Sequence, residues 1–283
     1  MNANGKSNPF EVSHLATAGQ TSTVAKSGWG NDMKLGGKHA LITGGGTGIG
    51  LAIAVALRKA DAAVTITGRR ADVLETAAEK HGLTPLVMDV QDETSVVDGI
   101  ASAVSSHGPI QICVPNAGIA EGRALHKMDF DFWRNMMATN IDGTFLTIRE
   151  CLKSMHDTDW GRVIAISSIA GLRGLKGAPC YTASKHAMIG LIRGLAADYL
   201  GKPYTFNAIC PAYVDTDIVP QNIDRIMART GMSKADATNV MVGANPHGRL
   251  IAPEEVAETA LWLCSPNSGS VNGQAIQIAG GEF

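Results

Sequence analysis

Three side chains in the second half of the chain, Ser168, Tyr181 and Lys185, are of types that exchange protons with an alcohol or a ketone. Tyrosine has a reference pKa of about 10 and is normally a poor acid–base catalyst near neutral pH. A lysine four residues later on a helix lies on the same face. At ~4 Å and an effective dielectric of ~20 its charge supplies about 4 kcal/mol, which would lower the phenol pKa by about three units. Ser168 would donate a hydrogen bond to the reacting oxygen. A tyrosine and a lysine at this spacing are usually just two residues on the surface of a helix. Whether they form a site therefore depends on the motifs earlier in the chain.

A glycine-rich turn near the start of the chain separates a predicted strand from a predicted helix. The apolar run at 39–43 predicts a buried strand, and the segment 51–60, rich in Ala and Leu, predicts a helix. The turn reads Gly44-Gly45-Gly46-Thr47-Gly48-Ile49-Gly50. A strand, a glycine turn and a helix in this order direct free backbone N–H groups at a phosphate, and glycine lets the backbone approach a pyrophosphate. The literal G-x-G-x-x-G spacing is absent, and a simple flexible turn is the alternative.

The residues after the second predicted strand indicate which dinucleotide would bind. That strand spans 63–67 and is followed by Gly68, Arg69 and Arg70. A dinucleotide fold places an Asp or Glu about 20 residues past the glycines to bind the ribose 2′-OH. Here no carboxylate is present to repel a 2′-phosphate, and Arg69 can pair with one through charge-assisted hydrogen bonds. The sequence therefore favours NADP(H), with NAD(H) possible; a solvent-facing arginine at a helix start is the alternative.

These motifs together resemble the short-chain dehydrogenase/reductase family over roughly residues 35–283, including its 3-oxoacyl reductases and 3-hydroxybutyrate dehydrogenases. The resemblance implies an α/β fold, a single Rossmann-type domain with a doubly wound parallel sheet of about seven strands and helices on both faces. Alternation of predicted strands and helices along the chain favours the same parallel sheet. The later strands are predicted at 85–88, 110–114, 162–167, 205–209 and 274–278.

By this resemblance the catalytic set is Asn140, Ser168, Tyr181 and Lys185. The backbone of Asn140 would hold a water that extends a proton relay to Lys185, and Lys185 would also bind the nicotinamide ribose. The cofactor would contact Tyr181, Lys185 and a further set of residues. That set is Gly44, Gly46, Thr47, Gly48, Ile49, Gly50, Arg69, Asp89, Val90, Asn116, Ala117, Gly118, Pro211, Val214 and Thr216.

Two positions depart from the family pattern. Pro115 precedes Asn116 where another asparagine is usual, and Ala212 follows Pro211 where a glycine is usual. Neither change removes a reacting group, so they bear on the fine geometry around the nicotinamide and not on the chemistry.

The function implied by the resemblance is that of a reversible NADP(H)-linked carbonyl reductase or secondary alcohol dehydrogenase. A 3-oxoacyl-thioester reductase or 3-hydroxyacyl dehydrogenase shares the whole motif set and is the alternative enzyme. A cofactor-binding regulator without catalysis is the non-enzymatic alternative, disfavoured because the serine, tyrosine and lysine are all present. The family's usual assemblies imply a homotetramer or homodimer.

Composition and hydropathy set the domain organisation. With 283 residues and 45% hydrophobic content, the chain can form one large core, which we place at 34–283. Residues 1–33 lack hydrophobic periodicity and predict a flexible N-terminal extension. Residues 217–247 predict a substrate lid with two short helices, at 219–230 and 233–242. The apolar face of this lid indicates an at least partly apolar substrate.

Charge and residue usage exclude several kinds of partner. A net charge of −2 gives no general attraction to nucleic acid or to an anionic membrane. No apolar run reaches the ~18 residues of a membrane span. Five scattered cysteines without a C-x-x-C pair are typical of a reducing compartment, so we expect a cytoplasmic protein. The eight histidines show no metal-ligand spacing, so no metal is predicted.

Overall fold

All seven strands of the described chain form one parallel sheet, in the order β3-β2-β1-β4-β5-β6-β7. The computed structural model describes residues 34–216, 219, 223–224, 227–228, 230–243 and 245–281; the extension predicted at 1–33 lies outside them. The strands are β1 (His39–Thr43), β2 (Ala63–Gly68), β3 (Thr84–Val87), β4 (Ile110–Val114), β5 (Gly161–Ile166), β6 (Tyr204–Pro211) and β7 (Ala275–Ile278). Each lies within two residues of its predicted bounds, and the predicted fold class is confirmed.

Eight α-helices in the described residues cover the two faces of the sheet. They are α1 (Gly48–Lys59), α2 (Ala71–His81), α3 (Glu93–His107), α4 (Phe130–Met137), α5 (Gly143–Met155), α6 (Pro179–Asp198), α7 (Lys234–Val242) and α8 (Pro253–Leu263). Local sequence sets several of their ends. Asp92 accepts hydrogen bonds from the first-turn N–H groups of α3, and α6 begins at Pro179, whose missing N–H costs nothing there. None of these helices is both long and apolar enough to cross a bilayer.

The sheet is buried on both faces, which fits strands that are almost continuously apolar. One core cluster contains Ile53 and Leu57 of α1 together with Val256 and Leu261 of α8. The second lies on the opposite face, among α3, α5 and α6, and includes the fully buried Phe206. Both cores therefore hold the strands rigidly and fix where the carboxyl end of each strand stops.

The strand order reverses between β1 and β4, and this reversal locates the site. From β1 the chain builds outward to β3, then crosses to β4 and builds outward to β7. In open parallel sheets a ligand crevice forms at this switch, beyond the carboxyl ends of the strands. The glycine turn follows β1, Asn116 follows β4, Ser168 follows β5 and Pro211 ends β6, so all four meet at that edge.

The segment between β6 and α8 has a small hydrophobic cluster of its own. Its buried members are Val219, Ile223, Ala237 and Met241, with Tyr213 packed against them. The helix α7 corresponds to the second predicted lid helix, and Ser233 caps it by accepting a hydrogen bond from the N–H of Asp236. The first predicted lid helix falls on a stretch that the structure describes only in part.

Candidate active site

The glycine turn between β1 and α1 brings backbone very close to backbone. Gly48 has a φ of 54°, a conformation that L side chains rarely adopt. A Cβ at position 50 would stand 2.4 Å from the carbonyl oxygen of Gly44 and 2.5 Å from Nδ2 of Asn116. No side chain caps α1 at Thr47, so its first-turn N–H groups at Gly48 and Ile49 remain available to an anion. These observations fit the pyrophosphate of a dinucleotide.

A cleft of about 260 Å³ opens beside this turn and continues across the carboxyl ends of β2 and β3. Eight of the predicted cofactor-binding residues line it: Gly44, Gly46, Thr47, Arg69, Asp89, Val90, Ala117 and Gly118. Thr67 also lines the cleft, and its buried hydroxyl has no hydrogen-bond partner among the described residues. Arg69 and Arg70 are both exposed at its rim. The combination of a glycine cradle, an unpaired hydroxyl and rim arginines fits a phosphorylated adenosine.

Asn116 fastens the carboxyl end of β4 to that of β1. Its Nδ2 donates to the carbonyl oxygens of Thr43 and Gly44, at 2.9 and 3.1 Å. The Thr43 hydroxyl accepts in return from the backbone N–H groups of Asn116 and Ala117, both at 3.0 Å. These four bonds hold the glycine turn against the segment 116–118. Thr43 is the residue at which the cofactor-loop pattern begins in the sequence, but the pattern gave its side chain no role; the structure shows that its hydroxyl joins the turn to β4.

Ser168, Tyr181 and Lys185 come together as predicted from their spacing. Ser168 follows β5, while Tyr181 and Lys185 lie in the first two turns of α6. The Ser168 hydroxyl lies close enough to the Tyr181 phenol to lower the pKa of that phenol. Lys185 Nζ lies 5.9 Å from the centre of the Tyr181 ring and donates to the carbonyl oxygen of Ile166 at 2.8 Å. The lysine is thus within the site, directed at backbone and not at the phenol oxygen.

The pKa of Tyr181 differs from the sequence-based prediction. Burial raises the pKa of Tyr181 above its usual value, and the Ser168 hydroxyl beside it only partly offsets that rise. The predicted depression by Lys185 does not occur here, because the ammonium points to Ile166. Burial also lowers the pKa of Lys185 to about 8. Tyr181 is therefore protonated at neutral pH, as a tyrosine with the usual pKa would be.

Asn140 lies in a short π-helical turn, Ala138–Asp142, that joins α4 to α5. Such turns are rare and are frequently found at functional sites. The Asn140 side chain bridges two elements: its Oδ1 accepts from Ile119 N–H at 2.8 Å, and its Nδ2 donates to the Ser184 hydroxyl at 3.0 Å. A Cβ at Gly118 would be 3.2 Å from Asn140 Oδ1 and 3.6 Å from Lys185 Nζ. Gly118, Asn140 and Lys185 therefore meet at one point.

The segment after β6 closes the other side of the cleft. Val214 forms a bridge with Ile251, which anchors the segment to the chain before α8. A Cβ at Gly48 would lie 3.2 Å from Cγ2 of Thr216, so Thr216 stands directly over the glycine turn. Sequence reasoning missed Tyr213 here; this phenol lies near enough to raise the pKa of Tyr181 electrostatically. No motif marked it, since its position depends on the fold of the following segment.

The two departures from the family pattern leave the backbone hydrogen bonds intact. Pro115 cannot donate, but its carbonyl oxygen accepts from Ile166 N–H at 2.9 Å, joining β4 to β5. Ala212 N–H donates to the Ile278 carbonyl oxygen at 2.9 Å. Both substitutions are therefore accommodated without loss of the strand contacts that position the site.

The fold and the site fit a nicotinamide-dinucleotide oxidoreductase, with the half-buried Tyr181 beside Ser168 and Lys185. Comparison with known proteins agrees. A model of the short chain dehydrogenase family matches residues 38–226, and the chain belongs to this family. It is an NAD(P)-dependent enzyme that transfers hydride between the cofactor, with NADP(H) favoured, and a ketone or alcohol.

Individual relatives cover nearly all of the predicted domain. An acetoacetyl-CoA reductase of Rhizobium meliloti is 35% identical over 245 residues, which are 86% of this chain and 98% of that protein. A 3-oxoacyl-[acyl-carrier-protein] reductase of Aquifex aeolicus is 32% identical over 258 residues, 89% of this chain and 100% of that protein. Among solved structures, an actinorhodin polyketide ketoreductase with NADPH matches with a TM-score of 0.84 and 30% identity, covering 86% of this chain and 96% of that one.

Proposed function

We propose that the chain reduces the ketone of a 3-oxoacyl thioester with NADPH, with its catalysis carried by the protonated phenol of Tyr181. The observation that carries the proposal is the arrangement of the site, in which Ser168, Tyr181 and Lys185 meet at the sheet edge that also holds the glycine turn and its cleft. The substrate class is supported by the similarity to an acetoacetyl-CoA reductase, an acyl-carrier-protein reductase and a polyketide ketoreductase.

The roles of the four catalytic residues follow from their contacts. When bound, NADPH supplies the hydride. Tyr181 donates its proton to the carbonyl oxygen, and Ser168, which lies beside Tyr181, orients that oxygen. Lys185 positions the nicotinamide ribose and supplies positive charge beneath the site. Asn140 fixes the local backbone through Ile119 and Ser184, and its π-helical turn is suited to hold a relay water.

The cofactor preference follows from the rim of the cleft. Arg69 lines the cleft in the place after β2 where an acidic residue would read a 2′-OH, and no carboxylate occupies that place. A 2′-phosphate would pair with its guanidinium. The remaining predicted cofactor residues, from Asp89 and Val90 to Pro211, Val214 and Thr216, surround the path from adenine to nicotinamide.

Turnover of matched substrates tests both parts of the proposal. We expect acetoacetyl-CoA to be reduced with a kcat/KM at least about tenfold above that of simple ketones, since thioester contacts add binding in the transition state. Equal rates on simple ketones would instead favour a general carbonyl reductase or secondary alcohol dehydrogenase.

For Arg69→Ala we expect the NADPH/NADH ratio of kcat/KM to fall at least about tenfold, with NADH turnover as the internal control. A wild-type preference for NADH would contradict the role of Arg69.

We also propose that the protein is cytoplasmic and assembles as a homotetramer or homodimer. All five cysteines are free and buried, which fits a reducing compartment. On α5, Phe145 is 45% exposed, and on α6 the positions of Gly190 and Gly194 have open space around them. An exposed aromatic beside small residues on neighbouring helices supports a helix-to-helix contact between subunits.

A further inference from the structure

A second cavity lies at the amino ends of β5 and β6, at the opposite end of the sheet from the catalytic residues. It has a volume of about 350 Å³, and its walls include Trp160, Arg162 and Thr205. Arg162 is six residues before Ser168 along β5, which places the two roughly 20 Å apart. None of the described residues that line the cavity carries a carboxylate.

Arg162 is a buried cation without an acidic partner. It is only 4% exposed, and no carboxylate of the described chain is within ion-pair distance. Its Nε donates to the Leu263 carbonyl oxygen at 3.1 Å, and its Nη1 donates to the Gly161 carbonyl oxygen at 2.9 Å. Its Nη2 has no hydrogen-bond partner among the described residues and is not enclosed. Burial without a counter-charge is costly, and burial lowers the pKa of Arg162 accordingly.

The guanidinium is held flat and fixed in direction. Its Cζ stands 4.4 Å from the centre of the Trp160 ring, and Lys38 Nζ lies 5.1 Å from the same ring. A planar guanidinium clamped by an aromatic face and two carbonyl oxygens presents its remaining N–H groups in one direction. The orientation of the free donor is therefore set by the fold before any ligand arrives.

Other donors surround this free edge. Thr205 is the register partner of Arg162 on β6, so both side chains leave the same face of adjacent strands. Asn272 also lines the cavity; its Oδ1 accepts from Phe206 N–H at 2.8 Å, so the donor of its amide, Nδ2, is not used in that bond. Lys202 adds a second positive charge at the wall. The cavity thus offers two cations, an amide and a hydroxyl, with no acidic group to balance them.

We propose that this cavity is a binding site for a phosphate group, either inorganic phosphate or the phosphate of a small metabolite. Arg162, Lys202, Thr205 and Asn272 supply its donors. A tetrahedral dianion accepts several hydrogen bonds at once and would neutralise the buried guanidinium. An organic group attached to the phosphate would pack against the Trp160 ring beside the guanidinium.

Calorimetric titration with inorganic phosphate, at constant ionic strength and with NADPH saturating the cofactor cleft, tests the site. We expect saturable one-site binding that NADPH does not displace. Asn272→Asp keeps the acceptor for Phe206 N–H but removes a donor and adds a negative charge, so we expect at least tenfold weaker binding. Lys202→Ala should weaken binding several-fold, and Arg69→Ala, at the other site, should leave it unchanged. Arg162→Met should abolish it; if that variant does not fold, Asn272→Asp carries the test alone.

The contrary results are equally specific. The proposal would be overturned if Asn272→Asp bound phosphate as tightly as wild type. It would also be overturned if saturating NADPH abolished phosphate binding. A parallel titration with a sugar phosphate separates the two sources. Tighter binding than phosphate indicates a phosphorylated metabolite, and weaker binding indicates the inorganic ion. Non-specific effects of phosphate on protein stability act equally on wild type and Asn272→Asp, so they cannot produce a difference in phosphate binding between the two.

Discussion

The glycine turn at 44–50 and the catalytic region around Ser168, Tyr181 and Lys185 occupy the same sheet edge but depend on different physics. In the turn, function depends on what is missing: a Cβ at Gly50 would lie 2.4 Å from a backbone carbonyl oxygen. In the catalytic region, function depends on titratable groups taken out of water. The first constraint is steric and independent of pH, whereas the second changes with protonation.

Burial affects the two catalytic groups in a consistent way. It raises the pKa of Tyr181 and lowers the pKa of Lys185 to about 8, so in both cases the neutral form is favoured. A neutral phenol therefore lies beside a lysine whose pKa is about 8. No comparable titration exists in the glycine turn, where backbone N–H groups and a helix terminus provide the binding. Substitutions in the two regions should accordingly separate chemistry from binding.

Tyr181→Phe tests the chemical half and should have the largest effect. Removing the phenol hydroxyl removes the proton donor, and general acid–base help is typically worth 10²–10⁴-fold in rate. We expect kcat to fall by about that factor, while the dissociation constant for NADPH, measured by fluorescence titration, stays within about twofold of wild type. A variant that retains more than about a tenth of the wild-type rate would show that the proton comes from elsewhere.

Gly50→Ala tests the binding half. The new Cβ would meet the Gly44 carbonyl oxygen and Asn116 Nδ2, and neither can move without disturbing the turn or its anchor. We expect the dissociation constant for NADPH to rise at least about tenfold, because the phosphate cradle must distort. Gly36→Ala is the matched control, since a Cβ there has nothing within 4 Å. Equal NADPH affinity in both variants would show that the turn is more plastic than its contacts indicate.

The difference between the regions also explains how far sequence reasoning could reach. The bounds of the inner strands followed from apolar runs because those strands, such as β1 and β5, are buried along their whole length. The glycine turn could be predicted because glycines at this spacing mark places where the backbone must turn tightly or approach another group closely. The pKa of Tyr181 was predicted in the wrong direction, since helix spacing places Lys185 on the correct face but does not say where its ammonium points. That direction is set by the Ile166 carbonyl oxygen on β5, a contact between elements 19 residues apart.

Other features depended on long-range packing and left no local signal. The approach of Tyr213 to Tyr181 depends on how the chain folds after β6. Likewise, the absence of an acid near Arg162 is a property of the neighbouring strands and loops and not of the sequence around residue 162. The family resemblance pointed to Asn140 but not to its π-helical turn, because the residues around it by themselves predict ordinary helix.

A pH series on Lys185→Met examines the electrostatic side of the comparison directly. The folded-state pKa of Lys185, about 8, lies below its unfolded value, so between these values the unfolded chain binds more protons. The cost of burying the charge is fully present below pH 8 and is relieved as pH rises through that window. We expect the free energy of unfolding of wild type, relative to Lys185→Met, to rise by about 2 kcal/mol between pH 7 and pH 9.5. Parallel denaturant titrations measure this, with the exposed Lys59→Met as the control that should show no such change. If the difference in free energy of unfolding stayed constant across the pH series, the Lys185 ammonium would have to keep its usual pKa, through solvation or through its hydrogen bond to the Ile166 carbonyl oxygen. The region around Ser168, Tyr181 and Lys185 would then depend on geometry alone, like the glycine turn.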